Sequence, residues 1–163
     1  MFSIQPLLQE HWPQVRAIYL EGIATGEATF QTTAPSWEQW NQGHLLHSRI
    51  VAINIGVVAG WAALSPVSSR PHYRGVAEVS VYVGEGYRRN GLGSQLLQEL
   101  VQESEQHGIW TLQASIFPEN GASVHVHEKN GFRLMGRRER IAQQNGVWRD
   151  TLILERRSKT VGI

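Results

Sequence analysis

Three groups of residues in this chain have the types and spacing to do chemistry. The first is Arg88-Arg89-Asn90-Gly91-Leu92-Gly93, followed by Ser94. It joins the apolar run Val81-Tyr82-Val83 to a stretch with Leu92, Leu96, Leu97 and Leu100 at helical spacing. Such a joint suits a pyrophosphate. Gly91 and Gly93 let the backbone come close to a ligand. The free N–H groups and dipole of the following helix favour an anion, and Arg88 and Arg89 add charge-assisted bonds. The same residues also read as a surface turn that starts a helix. The second group is Glu78, a lone carboxylate inside the apolar run VAEVSVYV. A strand covered by helices on both faces would desolvate it, raise its pKa and make it a general base. A glutamate on a solvent-facing pleat, or one paired with an arginine, is the plainer alternative. The third is His127, which helical spacing puts on one face with Asn120 and Ser123. That residue is a candidate general acid or a half-buried structural histidine. His125 falls on another side of the same helix, so His125 and His127 do not form a metal pair, and no metal site is expected.

The glycines exclude two phosphate-binding patterns. A Walker loop needs Gly-Lys-Ser/Thr, and Gly93 is followed by Ser94. A dinucleotide fingerprint needs a third glycine, but Arg89 stands where the Gly84/Gly86 pair requires it and Leu96 where the Gly91/Gly93 pair does.

These residues need a scaffold, and the hydrophobic pattern supplies one. Strands are expected at residues 2–6, 49–54, 57–64, 76–83, 110–116, 132–140 and 147–155. Helices are expected at residues 8–23, 36–47, 91–107 and 120–130, with Ser36 as the N-cap of the second. Residues 54–56 and Asn145-Gly146 read as hairpin turns, and residues 65–75 as a loop. The order β-α-α-β-β-β-α-β-α-β-β implies an α/β (α+β) domain with a mixed central sheet of about seven strands flanked by about four helices. The 163 residues form one domain, 1–163, with 156–163 as a loose tail. Apolar residues make up 41%, charged residues 18%, and net charge is +1. That balance gives no general field for nucleic acid or an anionic membrane. The absence of cysteine excludes disulfides and thiolate catalysis and fits a cytoplasmic protein. No stretch approaches a membrane span or signal peptide. Trp37, Trp40 and Trp12 read as core or dimer contact rather than a ligand cage.

Several motifs together resemble the GNAT superfamily of acetyl-CoA-dependent N-acetyltransferases. They are the Val81-Tyr82-Val83 strand, the R-x-x-G-x-G loop at 88–93, Asn120-x-x-Ser123, and the Gly131-Phe132 step. Within it, the chain is similar to the phosphinothricin and methionine sulfoximine acetyltransferase branch. That likeness rests on Ala77-Glu78-Val79-Ser80-Val81-Tyr82-Val83, Val126-His127-Glu128-Lys129, Gly146-Val147-Trp148-Arg149-Asp150 and Ala28-Thr29-Phe30.

The resemblance implies a GNAT fold and transfer of acetyl from acetyl-CoA to the α-amine of a small amino-acid-like substrate. Glu78 would be the base and His127 the acid. The loop residues Arg88, Arg89, Asn90, Gly91, Leu92, Gly93 and Ser94 would grip the pyrophosphate, with Lys129 also on the cofactor. Val81, Tyr82 and Val83 would hydrogen-bond the pantetheine through their backbone, and Asn120 and Ser123 would reach its amides. Asn120 otherwise reads as a helix cap. Phe30, His72, Tyr73 and Arg74 would meet the substrate, an arginine there holding a carboxylate. Arg74 reads equally as solvated, and Phe30 as core. A homodimer is expected. Alternatives are an acetyltransferase for a polyamine or a protein N-terminus, and a catalytically silent acyl-CoA-binding module.

Overall fold

The computed structural model describes residues 1–163. Seven strands form one sheet: β1 (Ser3–Pro6), β2 (Ile50–Asn54), β3 (Val57–Pro66), β4 (Val76–Val83), β5 (Thr111–Ile116), β6 (Arg133–Gln144) and β7 (Val147–Arg157). Four helices cover it: α1 (Trp12–Thr25), α2 (Trp37–Gly43), α3 (Leu92–Gln106) and α4 (Gly121–Lys129). The spatial order is β1-β2-β3-β4-β5-β7-β6. Only β4 and β5 run parallel, so the sheet is mixed. No helix is long and apolar enough to cross a membrane.

Two cores sandwich the centre of the sheet. Leu92, Leu96, Leu97 and Leu100 of α3 pack on Ala62, Leu64, Ala77 and Val79. On the other face, Trp12, Val15 and Ile18 of α1 and Trp40 of α2 pack on Val51 and Trp61. β3 is therefore buried on both faces, which explains its unbroken apolar run. Both expected hairpins form: Asn54 pairs Val57 across Ile55-Gly56, and Gln144 pairs Val147 across Asn145-Gly146. All four turn residues have positive φ, as a two-residue loop of the I′ kind requires.

Among the boundaries that differ from the sequence reading, three have a visible physical cause. A 3₁₀ turn at Gln9–His11 precedes α1, which starts at Trp12 with Pro13 in its first turn. Ser36 caps α2 as expected, but the helix stops at Gly43. Beyond it the buried Arg49 guanidinium donates to Asn41 Oδ1 and to the Leu45 and His44 carbonyls, holding the chain in a loop. The tail is not loose. β7 continues to Arg157, Ser158 N–H donates to Trp110 O, and Arg157 donates to the Val161 and Gly162 carbonyls.

Gly22 marks a close contact of α1 with the sheet. A Cβ there would lie 2.7 Å from Tyr82 Cε2. Tyr82 is itself stacked on Trp61 and edged by Tyr19, so its ring has little room to yield. Gly22→Ala is expected to cost about 1–3 kcal/mol by overpacking, read as a lower thermal unfolding midpoint. An unchanged midpoint would show that the ring moves freely.

Candidate functional site

β4 and β5 pair only from Val76↔Thr111 to Glu78↔Gln113. Beyond Glu78 the two parallel strands part. β4 continues to Val83 with β3 on its other edge, so the backbone of Val79–Val83 facing the gap has no strand partner. A cavity of about 350 Å³ occupies this opening. Its walls include Glu78, Val81 and Tyr82 of β4, Ser115 and Ile116 of β5, Phe117, and Asn120, Ser123 and His127 at α4. Phe30, Thr29 and Gln31 of the α1–α2 loop and Thr151 of β7 complete it.

Glu78 sits at the vertex. Its Oε1 accepts from Gln113 Nε2 at 3.1 Å and from Ser115 Oγ at 3.0 Å, and Oε2 has no protein partner. Its side chain is half-buried rather than fully enclosed, because the sheet opens where it stands. Gln113 and Ser115 escaped the sequence reading. Their signal was the period-2 polar face of β5, opposite Leu112 and Ala114.

His127 is buried, 6% exposed. Its Nδ1 lies 2.7 Å from Ser123 O. A carbonyl only accepts, so Nδ1 carries the proton and Nε2 is the free nitrogen. Burial pushes the imidazole pKa below its ordinary value, partly offset by the bond to Ser123 O. The resting ring at neutral pH is therefore neutral, with a lone pair on Nε2. The Gly131-Phe132 step holds this arrangement: Gly131 ends α4 with φ +90, and Phe132 packs edge-on against His127 at 5.1 Å.

Asn120 takes both roles of a clamp. Oδ1 accepts from Ser123 N–H as a helix cap, and Nδ2 donates to Glu27 O across the α1–α2 loop. Arg149 fixes the same loop from β7. Its guanidinium bonds Gly26 O, Gln144 Oε1 and Glu119, and lies 3.7 Å over the Phe117 ring. Phe117 in turn meets Phe30 edge-on at 4.8 Å. Arg149 was visible in the sequence only as part of the terminal motif, without a role.

The glycine loop stands at the start of α3, just past the end of β4. Gly91 has φ +76 and is the N-cap residue. No side chain caps the helix, and the first intrahelical bond runs from Gln95 N–H to Gly91 O. The N–H groups of Leu92, Gly93 and Ser94 are thus left without an intrahelical carbonyl, and the position of a Gly91 Cβ is open. Arg88, Arg89 and Asn90 are exposed beside them, Arg88 folding back on Val83 O. These features fit a pyrophosphate. The Leu92 side chain, by contrast, is core, so only its backbone is free. Ser94 Oγ accepts from Asn130 Nδ2, which ties α3 to α4. Lys129 is exposed at the end of α4.

The expected substrate loop is not brought to the cavity. Pro71–Tyr73 forms a 3₁₀ turn. It carries His72 and Tyr73 into solvent and sends Arg74 over Trp110, 5.5 Å from the ring centroid. None of the three lines the cavity. Stacking on the half-buried Trp110 indole wins over a reach into the wedge. No arginine or lysine lines the cavity, so its polar contacts come from Glu78, His127, hydroxyls and amides.

Comparison with known proteins agrees with this geometry. The pattern of the Acetyltransferase (GNAT) family matches residues 5–132. A phosphinothricin N-acetyltransferase of Streptomyces viridochromogenes is 32% identical, covering 91% of this chain and 83% of its own. An L-methionine sulfoximine/L-methionine sulfone acetyltransferase of Pseudomonas paraeruginosa is 28% identical, covering 88% and 87%. The solved phosphinothricin acetyltransferase of Sinorhizobium meliloti, in complex with AcCoA, superposes with a TM-score of 0.87 at 26% identity, over 99% of this chain and 90% of its own. The ribosomal-protein-alanine N-acetyltransferase of Brucella melitensis also reaches 0.87, at 29% identity over 96% and 99%.

Replacing Gly91 with Val puts a β-branched residue at positive φ and so strains the loop's backbone. Acetyl-CoA affinity is expected to fall at least about tenfold, or about 1.4 kcal/mol, by calorimetric titration. A folded variant with unchanged affinity would remove the loop from the binding site. Matched family pattern, parted strands and glycine loop together place the chain in the GNAT family of acetyltransferases.

Proposed function

We propose that this protein transfers the acetyl group of acetyl-CoA to the α-amine of a small amino acid of the phosphinothricin or methionine sulfoximine type. The observation that carries this reading is the wedge between β4 and β5, with Glu78 at its vertex and His127 on its wall. The free backbone edge of Val81, Tyr82 and Val83 suits the pantetheine arm as a neighbouring strand. Asn120 and Ser123 lie along the same path, and the loop at 88–94 with Lys129 suits the pyrophosphate. The relatives' names support the substrate class, and Phe30 forms part of its wall. With no cation in the cavity, the substrate carboxylate is held by neutral donors such as Thr29, Gln31 and Ser80.

The chemistry follows from the side chains. An ammonium has no lone pair, so Glu78 takes one proton from it, directly or through water. The neutral amine attacks the thioester carbon, and a backbone N–H of the β4 edge polarises the carbonyl oxygen. The new N–C bond forms, the C–S bond breaks, and one remaining N–H proton must reach the sulfur. His127 serves as acid in this step. Being neutral at rest, it takes that proton at Nε2 and gives it to the departing thiolate.

A second reading is favoured by the likeness to the ribosomal-protein-alanine enzyme and by the absence of a cationic carboxylate clamp. In it the acceptor is the free N-terminus of a polypeptide. Free-thiol release with methionine sulfone and with an alanine-led peptide separates the two: preference for the peptide would overturn the amino-acid reading.

Glu78→Gln and His127→Phe are each expected to slow turnover about 10²- to 10⁴-fold with acetyl-CoA affinity nearly intact. The lowered pKa of His127 fixes the sign of the pH effect. Protonation of Nε2 blocks the relay, so kcat/KM falls as pH drops through a value below the ordinary imidazole pKa of about 6.5. That limb is absent in His127→Phe. Full activity in both variants would leave the reaction to positioning alone.

The protein is also proposed to be a homodimer. β6 is an edge strand, and Leu134, Met135, Ile141, Val147 and Trp148 are exposed on the β6–β7 pair. Light scattering is expected to give twice the 18.3 kDa chain mass, and Met135→Glu with Ile141→Glu to halve it. A monomeric parent protein contradicts this.

A further inference from the structure

The turn that leads into the glycine loop is held by a residue from outside the wedge. Glu85–Tyr87 form a 3₁₀ turn between the end of β4 and Arg88. The N-cap of this turn is Gly84, which has no side chain to offer, so the first N–H lacks a local acceptor. Glu21 of α1 supplies one from 64 positions away in the sequence: its Oε2 accepts from Glu85 N–H at 2.7 Å. A carboxylate on a backbone N–H makes a charge-assisted bond. Its seat is firm, because the next residue, Gly22, lets α1 close on the Tyr82 ring.

The loop that follows has little of its own to hold it. The N–H groups of Arg89 and Asn90 have no partner in the chain. Arg89 sits at φ +68 and Gly91 at φ +76. A non-glycine residue in that region persists only where its surroundings dictate it. On one side those surroundings are α3, anchored by the buried Leu92 and Leu96. On the other they are the turn at 84–87, fastened by three contacts. Gly84 N–H donates to Ala59 O at 2.8 Å, the Tyr87 ring stands edge-on to Phe2 at 6.0 Å, and Glu21 holds Glu85 N–H. Of the three, only the Glu21 contact is made by a polar side chain.

Resting on the reading of residues 88–94 as the pyrophosphate grip, we infer that Glu21 is a positioning residue for acetyl-CoA. It is not in the wall of the wedge; it acts through the turn. By fixing the point from which Arg88, Arg89 and Asn90 start, it keeps the unpaired N–H groups of the loop aimed at one place. Without it the turn is free to swing about Gly84, the loop relaxes from its positive φ angles, and the pyrophosphate loses donors while the wedge is untouched.

The test uses Glu21→Ala and Glu21→Gln in the full-length protein, each checked for unchanged melting. Glutamine keeps an oxygen for Glu85 N–H, and alanine does not. By calorimetric titration the acetyl-CoA Kd is expected to rise about tenfold in Glu21→Ala and to stay within about threefold in Glu21→Gln. In both, kcat at saturating acetyl-CoA and the acceptor KM should be unchanged, with methionine sulfone or the alanine-led peptide as acceptor, whichever the parent protein uses. Acetyl-pantetheine ends before the pyrophosphate, so it separates positioning from general damage: parent and Glu21→Ala should use it with equal kcat/KM. Glu85→Pro removes the donor instead of the acceptor. Gly84 already has the extended ψ of 144 that a residue before proline takes, and proline suits the first position of a helical turn. This variant should weaken acetyl-CoA as Glu21→Ala does, and the double variant should be no weaker than either. If Glu21→Ala misfolds, Glu85→Pro carries the test. An unchanged Kd in the folded variants, a Glu21→Gln as weak as Glu21→Ala, an equal loss with acetyl-pantetheine, or additive losses in the double variant overturns the role of Glu21 and leaves the loop assignment standing. A parent protein that uses acetyl-pantetheine as well as acetyl-CoA overturns the loop assignment and this inference with it.

Discussion

The parting of β4 from β5 after a three-residue parallel ladder is the constraint on which the rest depends. Two parallel strands normally satisfy each other's edges. Here the ladder stops at Glu78↔Gln113, and the unpaired edge of β4 is left facing the cavity without any loop having to be built for it. The same divergence sets the environment of Glu78. One carboxylate oxygen is held by the last paired residue, Gln113, and by Ser115 two positions on, and the other has no protein partner. A fully zipped sheet would have buried this side chain or turned it to solvent.

Keeping the wedge open requires rigid walls, and they come from distant parts of the chain. α3 is locked to β3 by its leucines, and Asn130 fixes α4 to α3. The α1–α2 loop has no regular structure of its own, and it is held by the two clamps of Asn120 and Arg149. Arg149 is unusual in bonding a carbonyl, an amide and a carboxylate while lying over an aromatic face. This makes the shape of the cavity wall dependent on a strand at the far end of the sequence.

The fold was largely legible, because period-2 and period-3.6 patterns are local. The two positive-φ turns gave the hairpins, and Ser36 gave the start of α2. Glu78, His127, Asn120 and Ser123 converge because strand order and helix face are both readable, and Phe30 joins them from the α1–α2 loop. What could not be read was side-chain direction out of irregular segments. Nothing local says that Arg74 lies over Trp110, that Arg49 ends α2, or that Arg157 gathers the final residues. The state of His127 was hidden for the same reason. Its residue type suggests an acid, but the Ser123 carbonyl and burial decide which nitrogen is free. Trp12, Trp37 and Trp40 read as core or dimer contact, and Trp12 and Trp40 are core. The unpaired indoles of Trp40 and Trp61 appear only once three elements are packed together.

The strand order has a consequence for synthesis. β5 lies between β4 and β7, and β6 is outermost. A chain emerging from the ribosome therefore finishes α4 and β6 before β5 has a partner on its outer edge. Until residues 147–157 follow, β6 has nothing to pair with and β5 exposes an open edge bearing Leu112, Ala114 and Ile116. Such an edge is a template for pairing with other nascent chains. The insertion of β7 between its two predecessors closes it in one step, so the sheet, and with it the wedge, is completed only once residues 147–157 have been made.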